Sequence, residues 1–173
     1  MTSPVRVGIV LGSDSDLETM METVKVLETL GIGHEVVVAS AHRTPRRTEE
    51  WASGAAARGL KVLIAAAGGA AALPGVVAAF SPLPVIGVPI ASTTLNGLDA
   101  LLSMVQMPKG VPVATVAIGS WGAANAGILA AQILAGSDPS VAERLATYRK
   151  KLSEEVDERA RRVAEKLKAR TTG

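Results

Sequence analysis

The chain has 173 residues, with 18 Lys plus Arg against 16 Asp plus Glu, two histidines and no cysteine. That length suits one hydrophobic core, and the near-balanced charge, with C-terminal basic residues interleaved among acidic ones, argues against a nucleic-acid footprint. The absence of cysteine excludes disulfides and thiolate metal sites, and two histidines leave little for a histidine-based metal centre, so chemistry without metal, redox group or other cofactor is expected.

Residues 1–6 lead into a strand-like run without the pattern of a secretory signal, so a cytoplasmic location is expected. Residues 62–137 carry only two charged side chains, Asp99 and Lys109, yet prolines at 74, 82, 84 and 89 interrupt every apolar run. A membrane span would need about 20 uninterrupted apolar residues. A buried parallel sheet and a large subunit interface are expected instead.

Five runs rich in valine and isoleucine, at 5–11, 35–39, 62–66, 85–90 and 113–118, alternate with segments of crossover length. Their continuously apolar character predicts parallel strands covered on both faces by helices, a three-layer α/β/α arrangement. After the first, Leu17, Met20, Met21, Val24, Leu27 and Leu30 follow the spacing of one helical face, and Gly31 supplies the stop. Ser15 with Glu18 three residues on predicts a capping box, and Thr44 before Pro45 predicts a capped start for the next helix.

Beyond Asp138 the composition turns charged, while Val141, Leu145, Tyr148, Leu152, Val156, Val163 and Leu167 keep an apolar stripe. One long amphipathic helix over 138–169 is expected, reaching towards another subunit from a catalytic core at 1–137, with a disordered tail at 170–173.

Three loops follow strands and therefore fall on the carboxyl edge of the sheet, where parallel α/β folds bind ligands. Gly12-Ser13-Asp14-Ser15-Asp16 offers a tight turn, hydroxyls and amides for phosphate oxygens, and aspartates suited to ribose hydroxyls or a ring amine. It matches neither the dinucleotide nor the P-loop glycine pattern. His42 and Arg43, after the second run, supply a group suited to proton transfer near neutral pH and a bidentate fork for phosphate or carboxylate.

The third candidate, Ala65-Ala66-Ala67-Gly68-Gly69-Ala70-Ala71-Ala72-Leu73-Pro74-Gly75, is made of residues small enough either to approach a flat ligand or to pack tightly, and composition does not separate the two. After the fifth run, Asn125 is a capping or ligand residue and Trp121 a packing residue. His34, near the start of a strand, belongs to the opposite edge and reads as a surface histidine.

Taken in order, Gly12-Ser13-Asp14-Ser15-Asp16, Ser40-Ala41-His42-Arg43-Thr44-Pro45, Ala67-Gly68-Gly69-Ala70-Ala71, Leu73-Pro74-Gly75, Val105-Gln106-Met107-Pro108 and Ala123-Ala124-Asn125-Ala126 strongly resemble the N5-carboxyaminoimidazole ribonucleotide mutase family of purine biosynthesis. The resemblance implies a flavodoxin-like fold, a homo-octamer with sites at subunit contacts, and a ribonucleotide substrate handled without metal or ATP. It assigns substrate binding to Ser13, Asp16 and Arg43, with Ser15, Ser40, Gly68, Gly69, Ala70 and Leu73 alongside, and general acid/base catalysis to His42.

The related CO2-using carboxylases carry His-Lys-Gly where this chain has His42-Arg43-Thr44, which favours the mutase. The chain departs from the mutase pattern at Ala72, where that pattern has a second histidine, and at Ala66, Arg46 and Ser120-Trp121. Those departures leave open a diverged or engineered assembly subunit, with Trp51 and Trp121 as added interface contacts, or a nucleotide-binding module that does not depend on His42.

Overall fold

The computed structural model describes residues 4–171. Five strands, β1 (Val5–Leu11), β2 (Gly33–Val38), β3 (Val62–Gly68), β4 (Val85–Ile90) and β5 (Ala114–Thr115), form one parallel sheet in the order β2-β1-β3-β4-β5. The helices are α1 (Leu17–Thr29), α2 (Pro45–Ser53), α3 (Leu73–Phe80), α4 (Leu98–Val105), α5 (Ser120–Ala135) and α6 (Pro139–Thr171).

Side chains alternate across a strand, so each interior strand feeds two cores. Val7, Ile9 and Leu11 of β1, Ile64 of β3 and Ile86 and Val88 of β4 pack with α1, α5 and the start of α6. Val10, Leu63, Ala65 and Val85 point the other way, towards Ala52 of α2, Val77 of α3 and Met104 of α4. This is the expected three-layer α/β/α fold of the flavodoxin-like kind.

Burial on both faces holds for β1, β3 and β4 but not for β2, an edge strand whose Val36 and Val38 are each about two-fifths exposed. The fifth strand is shorter than the run at 113–118 because Pro89 has no N–H to give towards it. Contact resumes where Gly119 N donates to the Pro89 carbonyl at 2.9 Å.

Two caps differ from expectation. A 3-10 turn, Asp14–Asp16, precedes α1, and Ser13 rather than Ser15 closes it: Ser13 Oγ accepts from Ser15 N, and Asp16 Oδ2 accepts from Ser13 N at 3.0 Å. Thr44 does precede α2 with Pro45 in the first turn, but its hydroxyl is committed to Ser40 and makes no cap.

Trp51 belongs to the fold rather than to an added surface. Its ring lies over Gly8, where a Cβ would come within 2.8 Å of it, its Nε1 donates to Glu35 at 2.8 Å, and the Arg58 guanidinium stands 5.9 Å from the ring centroid. Trp121 is 82% exposed, so within one chain it packs on nothing substantial.

The first turns of α6 bury Val141 and Leu145 against α1 and α5, and its later turns are exposed in the single chain. At 33 residues the helix extends about 50 Å. It reaches Thr171, past the expected end at 169, and residues 172–173 of the expected tail lie outside the described residues. Among the described residues no helix is long and apolar enough to cross a membrane.

Candidate active site

The chain leaves β1 for β2 on one side and later returns to build β3 on the other, so the loops after these strands diverge and open a crevice between them. A cavity of about 350 Å³ fills it. Ser13, Ser15 and Asp16 come from the loop after β1, Ser40, His42 and Arg43 from that after β2, and Gly68, Ala70 and Leu73 from that after β3. Nine of the ten expected site residues therefore line one cavity. Gly69 does not line the cavity, and its φ of 62° shows its contribution to be the left-handed turn that carries the loop round.

Hydrogen bonds hold the polar side rigid. Ser13 Oγ accepts from Ser15 Oγ at 2.9 Å and donates to Asp14 Oδ1 at 3.1 Å. Asp16, only 4% exposed, sits beneath them. Burial raises its carboxyl above the ordinary carboxylate range, opposed by the N–H of Ser13, reinforced by the charge of Asp14 and opposed again by the N–H of Gly12.

In the loop after β2, Thr44 Oγ1 accepts from Ser40 N at 2.9 Å and donates to Ser40 O at 3.1 Å, while Ser40 Oγ accepts from Arg43 N at 3.2 Å. The Arg43 guanidinium then reaches across to donate to Gly12 O at 3.3 Å, tying the two loops together. His42, between Ser40 and Arg43 in this loop, lines the cavity, and its ring has no hydrogen-bond partner among the described residues.

The third side is apolar and close. Adding a Cβ to Gly68 would place it against Ser92 of the loop after β4, so glycine is required for β3 and that loop to approach. Ala71 is held at a φ of 27°, a strained conformation for a residue with a side chain. Ala72 also faces the cavity.

Sequence reasoning missed Ser92, although the polar run Ser92-Thr93-Thr94 follows a strand as the other site loops do. Asn125 lies exposed on α5 and is not on the cavity wall. His34 is on the opposite edge as expected, its Nδ1 3.2 Å from Ile32 O.

The profile of the family described as AIR carboxylase matches residues 6–155. The chain belongs to the AIR carboxylase family. A relative named N5-carboxyaminoimidazole ribonucleotide mutase, from Thermotoga maritima, is 55% identical over 158 residues, covering 91% of this chain and 91% of its own length. Another of that name, from Synechocystis, is 57% identical over 153 residues, covering 88% and 86%. The crystal structure of Treponema denticola PurE is similar with a TM-score of 0.79 at 29% identity, covering 88% of this chain and 94% of that one. Within this AIR carboxylase fold, the cavity combines a buried carboxyl, a guanidinium, hydroxyls, an imidazole and an apolar wall.

Proposed function

We propose that the protein is an N5-carboxyaminoimidazole ribonucleotide mutase, an isomerase of purine biosynthesis, with His42 as its acid and base. In this reaction the bond from N5 to the carboxylate carbon breaks, N5 regains a proton, and the released CO2 forms a new bond to the neighbouring ring carbon C4, which gives up its proton. Atoms and charge balance with one proton carrier. The free imidazole of His42, on a cavity whose other walls offer Ser13, Asp16 and Arg43, is the observation that carries the reading. The apolar wall from Gly68 to Leu73 suits retention of CO2 beside the ring. The names of relatives more than 50% identical support the same reaction.

Turnover of N5-carboxyaminoimidazole ribonucleotide by the parent chain and by His42→Asn tests it. The parent should turn over, and the variant should lose about 10²-fold or more in kcat with ligand affinity largely kept. An inactive parent overturns the mutase reading; an unimpaired variant overturns the role of His42.

We infer further that the protein is cytoplasmic and assembles as a homo-octamer, with α6 packing on a neighbouring subunit. Leu95, Leu98, Leu102 and Val105 are exposed along α4 and the turn before it, as is Trp121, and the later turns of α6 expose Leu152, Val156 and Val163. Mass measurement under native conditions decides the assembly: a monomer at micromolar concentration would overturn it.

A further inference from the structure

The loop after β4, residues 91–97, closes the cavity on its fourth side, and Ser92 is the residue it contributes. Four serines line the cavity. Ser13, Ser15 and Ser40 have their hydroxyls engaged in the hydrogen bonds that hold their loops, whereas the Ser92 hydroxyl has no partner among the described residues. A Cβ on Gly68 would fall on Ser92 Oγ, so this hydroxyl stands where a side chain closing β3 would stand. That is the apolar side of the cavity. From Gly68 to Leu73 the wall has no side-chain donor, and Asp16, His42 and Arg43 come from the loops after β1 and β2.

The chain next to Ser92 is tied down. Thr93 Oγ1 donates to Asp99 Oδ2 at 2.6 Å and accepts from Leu95 N at 3.2 Å, and Thr93 O accepts from Asn96 N at 3.1 Å. Asp99 is in the first turn of α4, so the loop is bonded to the helix it leads into. The fold-back needs Gly97, whose φ is 85° and where a Cβ would stand 2.6 Å from Ile118 Cγ2 and 3.3 Å from Ala91 Cα. Asp99 has no ion-pair partner among the described residues, and the Thr93 hydroxyl holds its carboxyl below the ordinary carboxylate range. An ionised acceptor makes the shorter and stronger kind of hydrogen bond. Here that bond goes to the residue beside Ser92.

We propose that Ser92 contacts the substrate, its hydroxyl donating to the carboxylate that leaves N5 and arrives at C4, and that Asp99 positions it through Thr93. This rests on the mutase reading above. A carboxylate set against an apolar wall needs a donor, because burying it unbonded is costly. A neutral hydroxyl suits a group that is an anion at both ends of the reaction and neutral CO2 in between. A cation would favour the two carboxylates over the transition states that join them, whereas a hydroxyl orients the group and loses little when its charge disappears.

The test measures turnover of N5-carboxyaminoimidazole ribonucleotide together with calorimetric binding of aminoimidazole ribonucleotide, which lacks the carboxylate. Ser92→Ala is expected to lose about tenfold in kcat/KM and to bind aminoimidazole ribonucleotide within about twofold of the parent. Thr93→Val and Asp99→Ala, which remove the two ends of the tether, should each lose about threefold, and Thr93→Ser should recover most of that loss. Because both act on one hydroxyl, Ser92→Ala combined with Thr93→Val should be no slower than Ser92→Ala alone, a result that general loosening of the loop would not give. Turnover by Ser92→Ala within about twofold of the parent, or an equal loss in its binding of aminoimidazole ribonucleotide, overturns the carboxylate contact and leaves the mutase reading standing. Additive losses in the double variant overturn the positioning role of Asp99. A parent that binds aminoimidazole ribonucleotide but does not turn over the carboxylated substrate overturns the mutase reading, and this proposal with it.

Discussion

Gly68 closes β3 and forms the floor of the cavity, and replacing it with alanine measures how tightly the site is built. A Cβ there falls on the Ser92 hydroxyl, 2.9 Å from Ser92 Cβ and 3.1 Å from Ile90 O. The hydroxyl can rotate away. Ser92 Cβ and the Ile90 carbonyl are backbone-fixed, and Ile90 is the register partner of Gly68 across the β3–β4 ladder, so relief requires moving the last rung of the sheet. Overpacking of this kind costs about 1–3 kcal/mol. For a chain of this length that corresponds to a fall in melting temperature of roughly 2–12 °C.

A mutant cycle separates the two contacts. Ser92→Ala removes the hydroxyl but keeps the Cβ, so it should relieve Gly68→Ala only in part; Ser92→Gly removes both and should relieve it further, once the effect of Ser92→Gly alone is subtracted. Thermal denaturation followed by circular dichroism, at one fixed protein concentration, gives all the values. If Gly68→Ala matches the parent within about 0.5 kcal/mol, or Ser92→Gly relieves it no better than Ser92→Ala, the tight approach of the two loops is not what selects glycine.

Two carboxyls predict pH effects of opposite sign. Asp138 is held below its ordinary value of 3.8 by the hydroxyl of Ser140 and then by the Arg6 guanidinium, so its contribution is present above that pH and is lost as pH falls further; Asp138→Asn should lower the melting temperature at pH 7 and flatten the acid limb below pH 3.8. Asp16 is raised by burial, so stability is lost as pH rises through its folded value; Asp16→Asn should equal or exceed the parent in melting temperature at pH 7, with that advantage absent below pH 3.8. A lower melting temperature of Asp16→Asn at pH 7 would mean that its bond from Ser13 N outweighs burial. Since Ala72 faces the cavity, Ala72→His places a second imidazole there and should raise kcat in the mutase assay; a fall would show the added ring obstructing the substrate.

The interior of the fold is legible because it obeys one rule repeatedly: a strand segment covered on both faces must be apolar at every position, and β1 from Val7 onwards, β3 and β4 are. The edges escape that rule. β2 is as rich in valine as its neighbours but has half-exposed residues, and β5 ends early because Pro89, in the adjacent strand, has no N–H to donate. The caps were ambiguous for a similar reason. Ser13 and Ser15 both precede an acidic residue by three, and only the 3-10 turn decides in favour of Ser13. Nothing in the pattern separates Trp51 from Trp121, since the space that receives Trp51 is made by Gly8, 43 residues earlier and in another element.

The site was legible through topology more than through motif. Once the loops after β1, β2 and β3 are placed on one edge, nine of ten expected residues fall together, and the same rule applied to β4 would have added Ser92. The place of His42 follows from the turn after β2. Thr44 is bound back to Ser40 instead of capping α2, and this closes the loop from Ser40 to Thr44 on itself. That one closed turn presents His42 and Arg43 to the cavity. Thr44 thus acts on the position of both, and its replacement should lower turnover and ligand affinity together in the mutase assay.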